Sequence, residues 1–357
     1  MTRILLCLSH SIEEYDQLRL LHSLGHEVAS IGGYIDPAKP HVNIRPPLFD
    51  VPMVPAVKDA VDNLGTADNL GAAQARIPDG ILDWLGDDGV IIYHHYLERL
   101  VEQWPRIRDW MQGSGGRRVI WRTVGQSVAG NEEMMRPLRA DGLERVAYSP
   151  KEANIPGYIG HDALIRFYKD PDEWQGWHGD DGVVLNFTQH LAQREPYTNF
   201  GFWEAVTKGL PRIAAGPGSE DIGGPGALST TDMLRALQAS RVYLYTGTQP
   251  ASYTLGLIEA MMTGIPVVSI SPSWMRIFPY GPALFEGWEL AGFGAPSNAF
   301  WPEDQVAACR RIVSSMLNDH GQAKAASEWT RARAIELFGI DTIREQWGAF
   351  LGVAVPA

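Results

Sequence analysis

The stretch that decides the fold reads Tyr245-Thr-Gly-Thr-Gln249-Pro-Ala251-Ser252-Tyr253-Thr254-Leu255-Gly-Leu-Ile-Glu259-Ala-Met-Met-Thr-Gly264-Ile-Pro266-Val-Val-Ser269. An apolar strand is followed by a loop rich in Gly, Thr and Ser, and a helix then runs to a terminating glycine before a second buried strand. Such a loop offers backbone N–H groups at the helix start, where phosphate binds readily. The stretch therefore predicts a strand–loop–helix–strand unit with a potential anion site.

Glu259 is the carboxylate on a stripe of this helix otherwise formed by the small residues Ser252, Gly256 and Thr263. A carboxylate can accept two hydrogen bonds at once, which suits a pair of ligand hydroxyls. The alternative is an acid that caps a loop or forms a salt bridge within the core. Spacing alone gives the two interpretations about equal weight.

Outward from this stretch, the chain of 357 residues is 45% hydrophobic and 20% charged, the composition of a soluble globular protein. A single core rarely grows beyond roughly 250–300 residues, so two domains are expected. The formal net charge is −12. A negative surface disfavours diffuse binding to DNA, RNA or anionic membranes and leaves only a local basic patch as a route to such partners.

The two cysteines, Cys7 and Cys309, lie far apart in the chain, and Cys7 falls in an apolar run. A disulfide framework is therefore not expected. That run covers only residues 4–8 and is followed by acidic residues, which is too short for a signal peptide or a membrane span. The expected location is the cytoplasm, with no membrane span.

Alternating strands and helices extend through most of the chain. Strands are predicted at residues 4–8, 28–31, 90–93, 119–121, 145–149, 183–187, 211–214, 242–245 and 266–270, and residues 306–351 are predicted to be helical. A shift toward Asp, Gly, Trp and Pro at 170–182 marks a domain boundary. The expected division is an N-terminal domain at 1–170, a second domain at 171–335 and a C-terminal helix at 336–357 that packs back on the first. Ligands in such sheets bind outside the carboxyl ends of the strands.

The segment Leu257-Ile-Glu259-Ala-Met-Met-Thr-Gly264-Ile-Pro266-Val-Val resembles the hallmark of GT-B glycosyltransferases of the family 4 type. Residues 20–28, 183–194 and 210–218 agree with that family in order and spacing. The resemblance implies an α/β GT-B fold, in which two doubly wound Rossmann-like domains face a cleft and a helical tail follows. It also implies that Glu259 binds the ribose of a nucleotide sugar.

The family usually carries another glutamate eight positions earlier, where this chain has Ala251. Gln249, Ser252 or Thr254 are candidates to supply the missing contacts. Arg194 is the candidate partner of the diphosphate, because a guanidinium binds phosphate oxygens bidentately; the alternative is a surface pair with Glu195.

The implied reaction moves a hexose or pentose from a UDP- or GDP-sugar to an acceptor hydroxyl, with retention of configuration and without an essential cofactor or metal. The candidate catalytic residues are Arg194, Glu259 and His95. The candidate donor-binding residues are Glu259, Arg194, Gln249, Ser252, Tyr253, Thr254, Leu255 and Gly218.

Several polar residues follow strand ends in the N-terminal half and are candidates for the acceptor side: His10, Ser11, Arg122 and Gln126. The strings at 122–127 and 148–152 are similar to a phage-associated branch of these transferases. For that branch the acceptor would be a hydroxymethylated pyrimidine in DNA and the location the host cytoplasm; otherwise the acceptor is a glycan or small molecule. An arginine cluster could form a surface for a polyanion, although ordinary solvated charges are favoured: Arg106, Arg108, Arg117, Arg118 and Arg122.

Two further motifs are interpreted as structural. Asp170-Pro-Asp172 matches an Asp-x-Asp metal motif in form, but a turn is favoured and no metal site is predicted. The glycine-rich segment 216–226 lacks the Gly-Lys-Ser/Thr ending of a phosphate-binding loop, so a turn is favoured there too. Two rival functions remain, namely a nucleotide-sugar epimerase or hydrolase, and a non-catalytic nucleotide-sugar-binding protein, which the alanine at 251 allows. The sequence does not specify an oligomeric state.

Overall fold

The computed structural model describes residues 1–7, 11–31, 51, 54–64, 75–125, 128–297 and 301–353. Its strands are β1 Arg3–Cys7, β2 Glu27–Ser30, β3 Val90–Tyr93, β4 Arg118–Arg122, β5 Glu144–Ala147, β6 Ala163–Leu164, β7 Asp181–Asn186, β8 Arg212–Ala214, β9 Ser240–Tyr245, β10 Val267–Ser269 and β11 Phe293–Gly294. Its α-helices are α1 Ser11–Ser23, α2 Pro55–Asp62, α3 Asp79–Leu85, α4 Leu97–Gln112, α5 Ala129–Ala140, α6 Phe200–Thr207, α7 Thr230–Ala239, α8 Leu255–Thr263, α9 Gly281–Leu284, α10 Gly287–Ala291, α11 Pro302–Asn318, α12 His320–Phe338 and α13 Ile340–Leu351.

The N-terminal sheet is parallel and has the strand order β2-β1-β3-β4-β5-β6. Its inner strands are apolar on both faces because helices cover both sides, as parallel sheets require. Alternate residues of one strand enter different cores, so that Ile4 and Leu5 of β1 belong to separate apolar clusters. The order reverses between β1 and β3, which opens a crevice at the carboxyl ends of these strands.

The C-terminal sheet repeats this topology with the order β11-β10-β9-β7-β8, again parallel throughout. Its first strand in the chain is β7, and the order reverses between β7 and β9. The switch point of this sheet therefore lies where the loops that follow β7 and β9 leave the strands.

The two sheets are joined by continuous packing. Tyr148, directly after β5, stacks on Phe167 with ring centroids 5.0 Å apart, and both rings belong to the core of the C-terminal sheet. In the linker, the segment between β6 and β7 that joins the two sheets, Lys169 N donates to Phe338 O at 2.9 Å. Beyond that point, α13 packs on α1 and buries Trp347 in the N-terminal core. The chain thus crosses from one sheet to the other twice, once in the linker and once at the start of α13, and the two crossings are adjacent.

The observed elements confirm an α/β protein with two doubly wound sheets and a helical tail. Residues 306–351 form parts of three helices because Asp319 caps α12 and Gly339 separates α12 from α13. Two aromatic residues of the tail behave differently: Phe338 is fully buried, whereas Trp329 is 43% exposed and covers Gly292 at the surface.

Both cysteines are buried and reduced, as the sequence predicts. Across the described ranges, no helix combines the length and the apolar composition that crossing a membrane requires.

Candidate functional site

The predicted helix at the centre of the site is present as α8. Thr254 adopts an extended backbone and its Oγ1 accepts a hydrogen bond from Leu257 N at 3.4 Å, which caps the helix start. Gly264 ends the helix at φ 96°, a left-handed conformation that favours glycine. All nine residues of α8 except Gly256 are buried. The helix is therefore packed on both sides, between the sheet and α12.

Three loops meet at the carboxyl edge of the C-terminal sheet, around the switch point. The loop after β7 contacts the loop after β9, because Gln249 N donates to Tyr197 O at 2.9 Å. It also contacts the turn after β8, because Gln193 Nε2 donates to Gly218 O at 2.8 Å. The loop 187–199, the turn 215–218 and the loop 246–254 therefore form one connected surface, called here the three-loop edge.

Arg194 lies on this edge and is exposed. The alternative pairing with Glu195 does not occur, since the Glu195 carboxylate accepts a hydrogen bond from Phe200 N at 2.5 Å at the start of α6. The Arg194 backbone is fixed by its N–H bond to His190 O at 2.9 Å. A guanidinium on a fixed loop, directed to solvent near the switch point, is suited to a phosphate ligand.

Gly218 has φ 79°, and a Cβ at this position would lie 2.6 Å from His190 Nδ1. Glycine is thus required where the turn after β8 approaches the loop after β7. Within the segment 216–226, Ser219–Ile222 form a short 3₁₀ turn.

Glu259 is 3% exposed and forms an ion pair: Lys169 Nζ lies 2.8 Å from Glu259 Oε1. The same ammonium lies 2.7 Å from Asp16 Oδ2. Asp16 belongs to α1 of the N-terminal sheet, whereas Lys169 lies in the linker. The carboxylate of the hallmark segment is therefore held by a cation that also binds the opposite domain.

The N-terminal domain closes directly on the loop 246–254. Ser252 N donates to Tyr148 Oη at 2.8 Å, and Tyr253 Oη donates to Tyr148 O at 2.7 Å. A Cβ on Gly125 would lie 3.7 Å from the Cβ of Ala251. The position where the resembled family has its other glutamate thus faces the backbone of the N-terminal domain.

The residues considered as substitutes for that glutamate have structural contacts of their own. Gln249 Oε1 accepts from Ile277 N at 3.0 Å, and Thr254 caps α8. Ser252 Oγ is buried and has no hydrogen-bond partner within the described part of the chain. Ser252 is consequently the candidate whose side chain is not already used, while Leu255 is buried and supplies only its backbone to the helix start.

The candidate residues of the N-terminal half are placed unequally. The candidate catalytic residue His95, directly after β3, is half-buried. Arg122 at the end of β4 is fully buried, donates to Ile165 O at 2.6 Å and stacks over Phe167. Its side chain therefore does not reach solvent in this structure. His10 and Gln126 lie outside the described residues, as does the side chain of Ser11.

A buried electrostatic cluster lies behind these strand ends. Burial raises the pKa of the Glu13 carboxyl to about 8, and nearby Asp16 adds to the rise, while Arg122 and Lys169 oppose it. Burial also lowers the pKa of Arg122, against the attraction of Glu13. Two guanidinium nitrogens of Arg122, Nε and Nη2, have no hydrogen-bond partner within the described residues.

The predicted arginine cluster does not form an open basic patch. Arg106 pairs with Asp79, Arg108 with Asp141 and Asp109, Arg117 with Asp87, and Arg118 with Glu144, and Arg122 is buried. Arg106, Arg108, Arg117 and Arg118 are paired with neighbouring carboxylates, as the interpretation of ordinary charges expects, whereas Arg122 is buried and is not a solvated charge.

The Asp-x-Asp motif is a turn, since Asp172 N donates to Asp170 Oδ1 at 2.9 Å. Within the described ranges no group of three or more His, Cys, Asp or Glu side chains is arranged to hold a metal ion.

Sequence analysis missed three residues that shape the site: Lys169, Tyr148 and Glu286. Glu286 is buried, accepts from Ser149 Oγ at 2.6 Å and pairs with Arg166 at 2.5 Å, and its backbone N donates to Ser252 O. The sequence placed Tyr148 inside the strand predicted at 145–149, whereas in the structure it directly follows β5. The other two act across the domain junction, where neither periodicity nor spacing gives information.

Comparison of this chain with solved structures identifies its fold. A glycosyltransferase from Rickettsia africae matches with a TM-score of 0.64 at 12% identity, covering 98% of this chain and 97% of that one. HepE of Anabaena, solved in complex with UDP-glucose, matches with a TM-score of 0.61 at 14% identity. The match covers 99% of this chain and 100% of HepE. This chain has the GT-B fold.

An alpha-glucosyltransferase, solved in complex with UDP and a 13-mer DNA, matches with a TM-score of 0.60 at 12% identity, covering 99% of this chain and 100% of that chain. TarM matches with a TM-score of 0.55 at 12% identity. That match covers 76% of this chain and only 57% of TarM. No protein-family model and no curated protein matches the chain. At these identities the likeness concerns the fold alone.

Proposed function

We propose that this protein is a glycosyltransferase that takes a sugar from a UDP-sugar and transfers it to an acceptor hydroxyl. The observation that carries the proposal is the three-loop edge at the switch point of a GT-B fold. There Arg194 is exposed on one loop, and the loop from 246 to 254 leads into α8 with Glu259. Structures of the same fold have been solved with UDP or UDP-glucose.

In this proposal Glu259 binds the ribose hydroxyls and Arg194 binds the diphosphate. The first-turn amides of α8 add to the positive potential, with the Leu257 amide already used by the Thr254 cap. The leaving group of the transfer is a nucleoside diphosphate, whose negative charge grows as the glycosidic bond breaks. Stabilising that charge with fixed donors is the largest rate contribution this geometry can make.

In this proposal the N-terminal domain covers a bound donor, and the contacts between Tyr148 and the loop 246–254 support it. A covered donor is shielded from water, which suppresses hydrolysis in favour of transfer. Retention of configuration follows from the resemblance to family 4 and belongs to the proposal. The side-chain hydroxyl of Ser252 is the group we assign to the sugar in place of the glutamate that Ala251 replaces.

For the acceptor, we propose that hydroxymethylated pyrimidine DNA is the first substrate class to test, followed by glycans and small molecules. The similarity at 122–127 and 148–152 and the DNA-bound structure of like fold support this order. Since the five arginines of the N-terminal domain are paired or buried, DNA would have to be held by other groups.

The test is sugar release from a panel of UDP-, GDP- and ADP-sugars, with and without hydroxymethylated duplex, unmodified duplex and glycan acceptors. We expect turnover of a UDP-sugar that requires an acceptor and is lost in Glu259→Ala. The exposed carboxylate variant Glu328→Ala serves as the matched control and should retain activity. Isomerisation or acceptor-independent release would instead identify an epimerase or hydrolase, and binding without turnover would identify a binding protein.

A further inference from the structure

The linker between the two sheets contains a fully buried ammonium group. Lys169 is 1% exposed, and its Nζ lies within 2.8 Å of two carboxylates, Asp16 and Glu259, which are each 3% exposed. A buried charge is tolerated only when it is paired, and here one cation serves two anions. The three groups come from α1, the linker and α8, so they connect both domains and the segment between them.

Lys169 is held by contacts besides its two carboxylate partners. Its backbone N donates to Phe338 O at the end of α12, and its Nζ lies over the ring of Trp174, 5.7 Å from the centroid. A buried side chain held in this way has few alternative rotamers. The ammonium therefore restrains the position of Glu259 Oε1.

We propose that Lys169 is a positioning residue for the ribose of the nucleotide donor. Its ammonium holds one oxygen of Glu259, which orients the carboxylate toward the ribose hydroxyls, and its second bond, to Asp16, ties that orientation to the position of the N-terminal domain. This inference rests on the proposed function, in which Glu259 binds ribose. It adds that recognition of the ribose depends on a residue that does not touch the ligand.

The proposed positioning role follows from the geometry of hydrogen bonds to a carboxylate. A carboxylate that must accept from two vicinal hydroxyls has to be held in one orientation, because hydrogen bonds weaken steeply when they are misaligned. An ion pair to a rigid cation supplies that restraint. In the same way, metal-binding histidines are oriented by hydrogen-bond partners that do not themselves touch the metal. Loss of the cation removes this restraint on Glu259 Oε1.

The experiment measures ribose discrimination by calorimetric titration, as the ratio of the dissociation constants of 2′,3′-dideoxy-UDP and UDP. In the wild type we expect a ratio of about 10 to 100, the range given by hydrogen bonds to a charged acceptor. Lys169→Met should bring the ratio close to 1, and Lys169→Arg should restore most of it. Lys151→Met is the matched control, because it also removes an interdomain ion pair, with Glu289, but lies away from Glu259; its ratio should equal that of the wild type.

The outcomes separate the two proposals. If wild-type protein binds no UDP, the proposed function fails. If it binds UDP with discrimination and Lys169→Met discriminates equally well, the positioning role of Lys169 is wrong while the proposed function stands. Where Lys169→Met does not fold, the double variant Lys169→Met/Asp16→Asn, which buries one uncompensated carboxylate fewer, carries the same test with the same expected ratio.

Discussion

The hydroxyl of Tyr148 accepts a 2.8 Å hydrogen bond from the backbone amide of Ser252, and this bond joins the end of β5 to the loop that leads into α8. Both residues are buried, and the Tyr148 ring packs in the core of the C-terminal sheet. The carboxyl edges of the two sheets are thus in direct contact at the segment proposed to hold the donor.

Removal of the Tyr148 hydroxyl tests that contact. Tyr148→Phe leaves a buried Ser252 N–H without its partner, so we expect a loss of about 1–3 kcal/mol in the free energy of unfolding. Urea titration followed by tryptophan fluorescence measures the change. An unfolding free energy equal to that of the wild type would show that the bond does not contribute to the closed arrangement.

Arg166 and Glu286 form a further contact across the junction of the two sheets. Arg166→Met leaves the buried Glu286 carboxylate without its cation, and we expect a destabilisation of about 3–5 kcal/mol. Lys151→Met removes the exposed ion pair with Glu289 and should change stability by only about 0–1 kcal/mol. Thermal unfolding of both variants side by side checks this difference, and equal effects would contradict it.

Arg194 is exposed and should matter for ligand binding rather than for folding. Arg194→Ala should weaken UDP binding by about 10- to 100-fold, the range for hydrogen bonds to charged groups, and leave the melting temperature unchanged. Arg235→Ala, an exposed arginine on α7 that pairs with Asp232, is the control and should bind UDP normally. Undiminished UDP affinity in Arg194→Ala would remove this residue from the donor site.

Glu13 should give the protein a characteristic dependence on pH. Its folded-state pKa, raised to about 8 by burial, exceeds the ordinary value of 4.5, so folding favours the protonated carboxyl. Its contribution to stability is complete below about pH 4.5 and declines as the pH rises through about 8. Glu13→Gln removes this dependence. The difference in unfolding free energy between the variant and the wild type should therefore grow in favour of Glu13→Gln from pH 6 to 8.5, and a constant difference would refute the assignment.

Much of the fold could be predicted from the sequence because buried parallel strands are continuous apolar runs. The strand at Val90–Tyr93 and the helix Leu255–Thr263 have the predicted bounds. β6 and β11 were missed because two-residue strands carry no pattern. The segment between β10 and α11 was missed because its short helices depend on contacts with the N-terminal domain, such as the bond from Asn154 Nδ2 to Ala283 O.

The site was only partly predictable, for a related reason. Glu259, Arg194 and the loop 246–254 are marked by local spacing, and the structure places them around one switch point. The ion pair of Glu259 was open as an alternative, but its partner Lys169 lies 90 residues away, across the junction of the two sheets. Arg122, predicted to follow a strand at 119–121, is the last residue of β4, and its guanidinium lies over the rings of Phe167 and Trp347, contacts that its own strand does not reveal.

A crystal structure of the protein soaked with UDP-glucose tests the central claim most directly. We expect the diphosphate at the N-terminus of α8 beside Arg194, and the ribose hydroxyls within hydrogen-bond distance of Glu259. A nucleotide bound away from the three-loop edge, or soaked crystals with no nucleotide at a concentration that saturates other UDP-binding proteins, would contradict the assignment of this protein as a UDP-sugar glycosyltransferase.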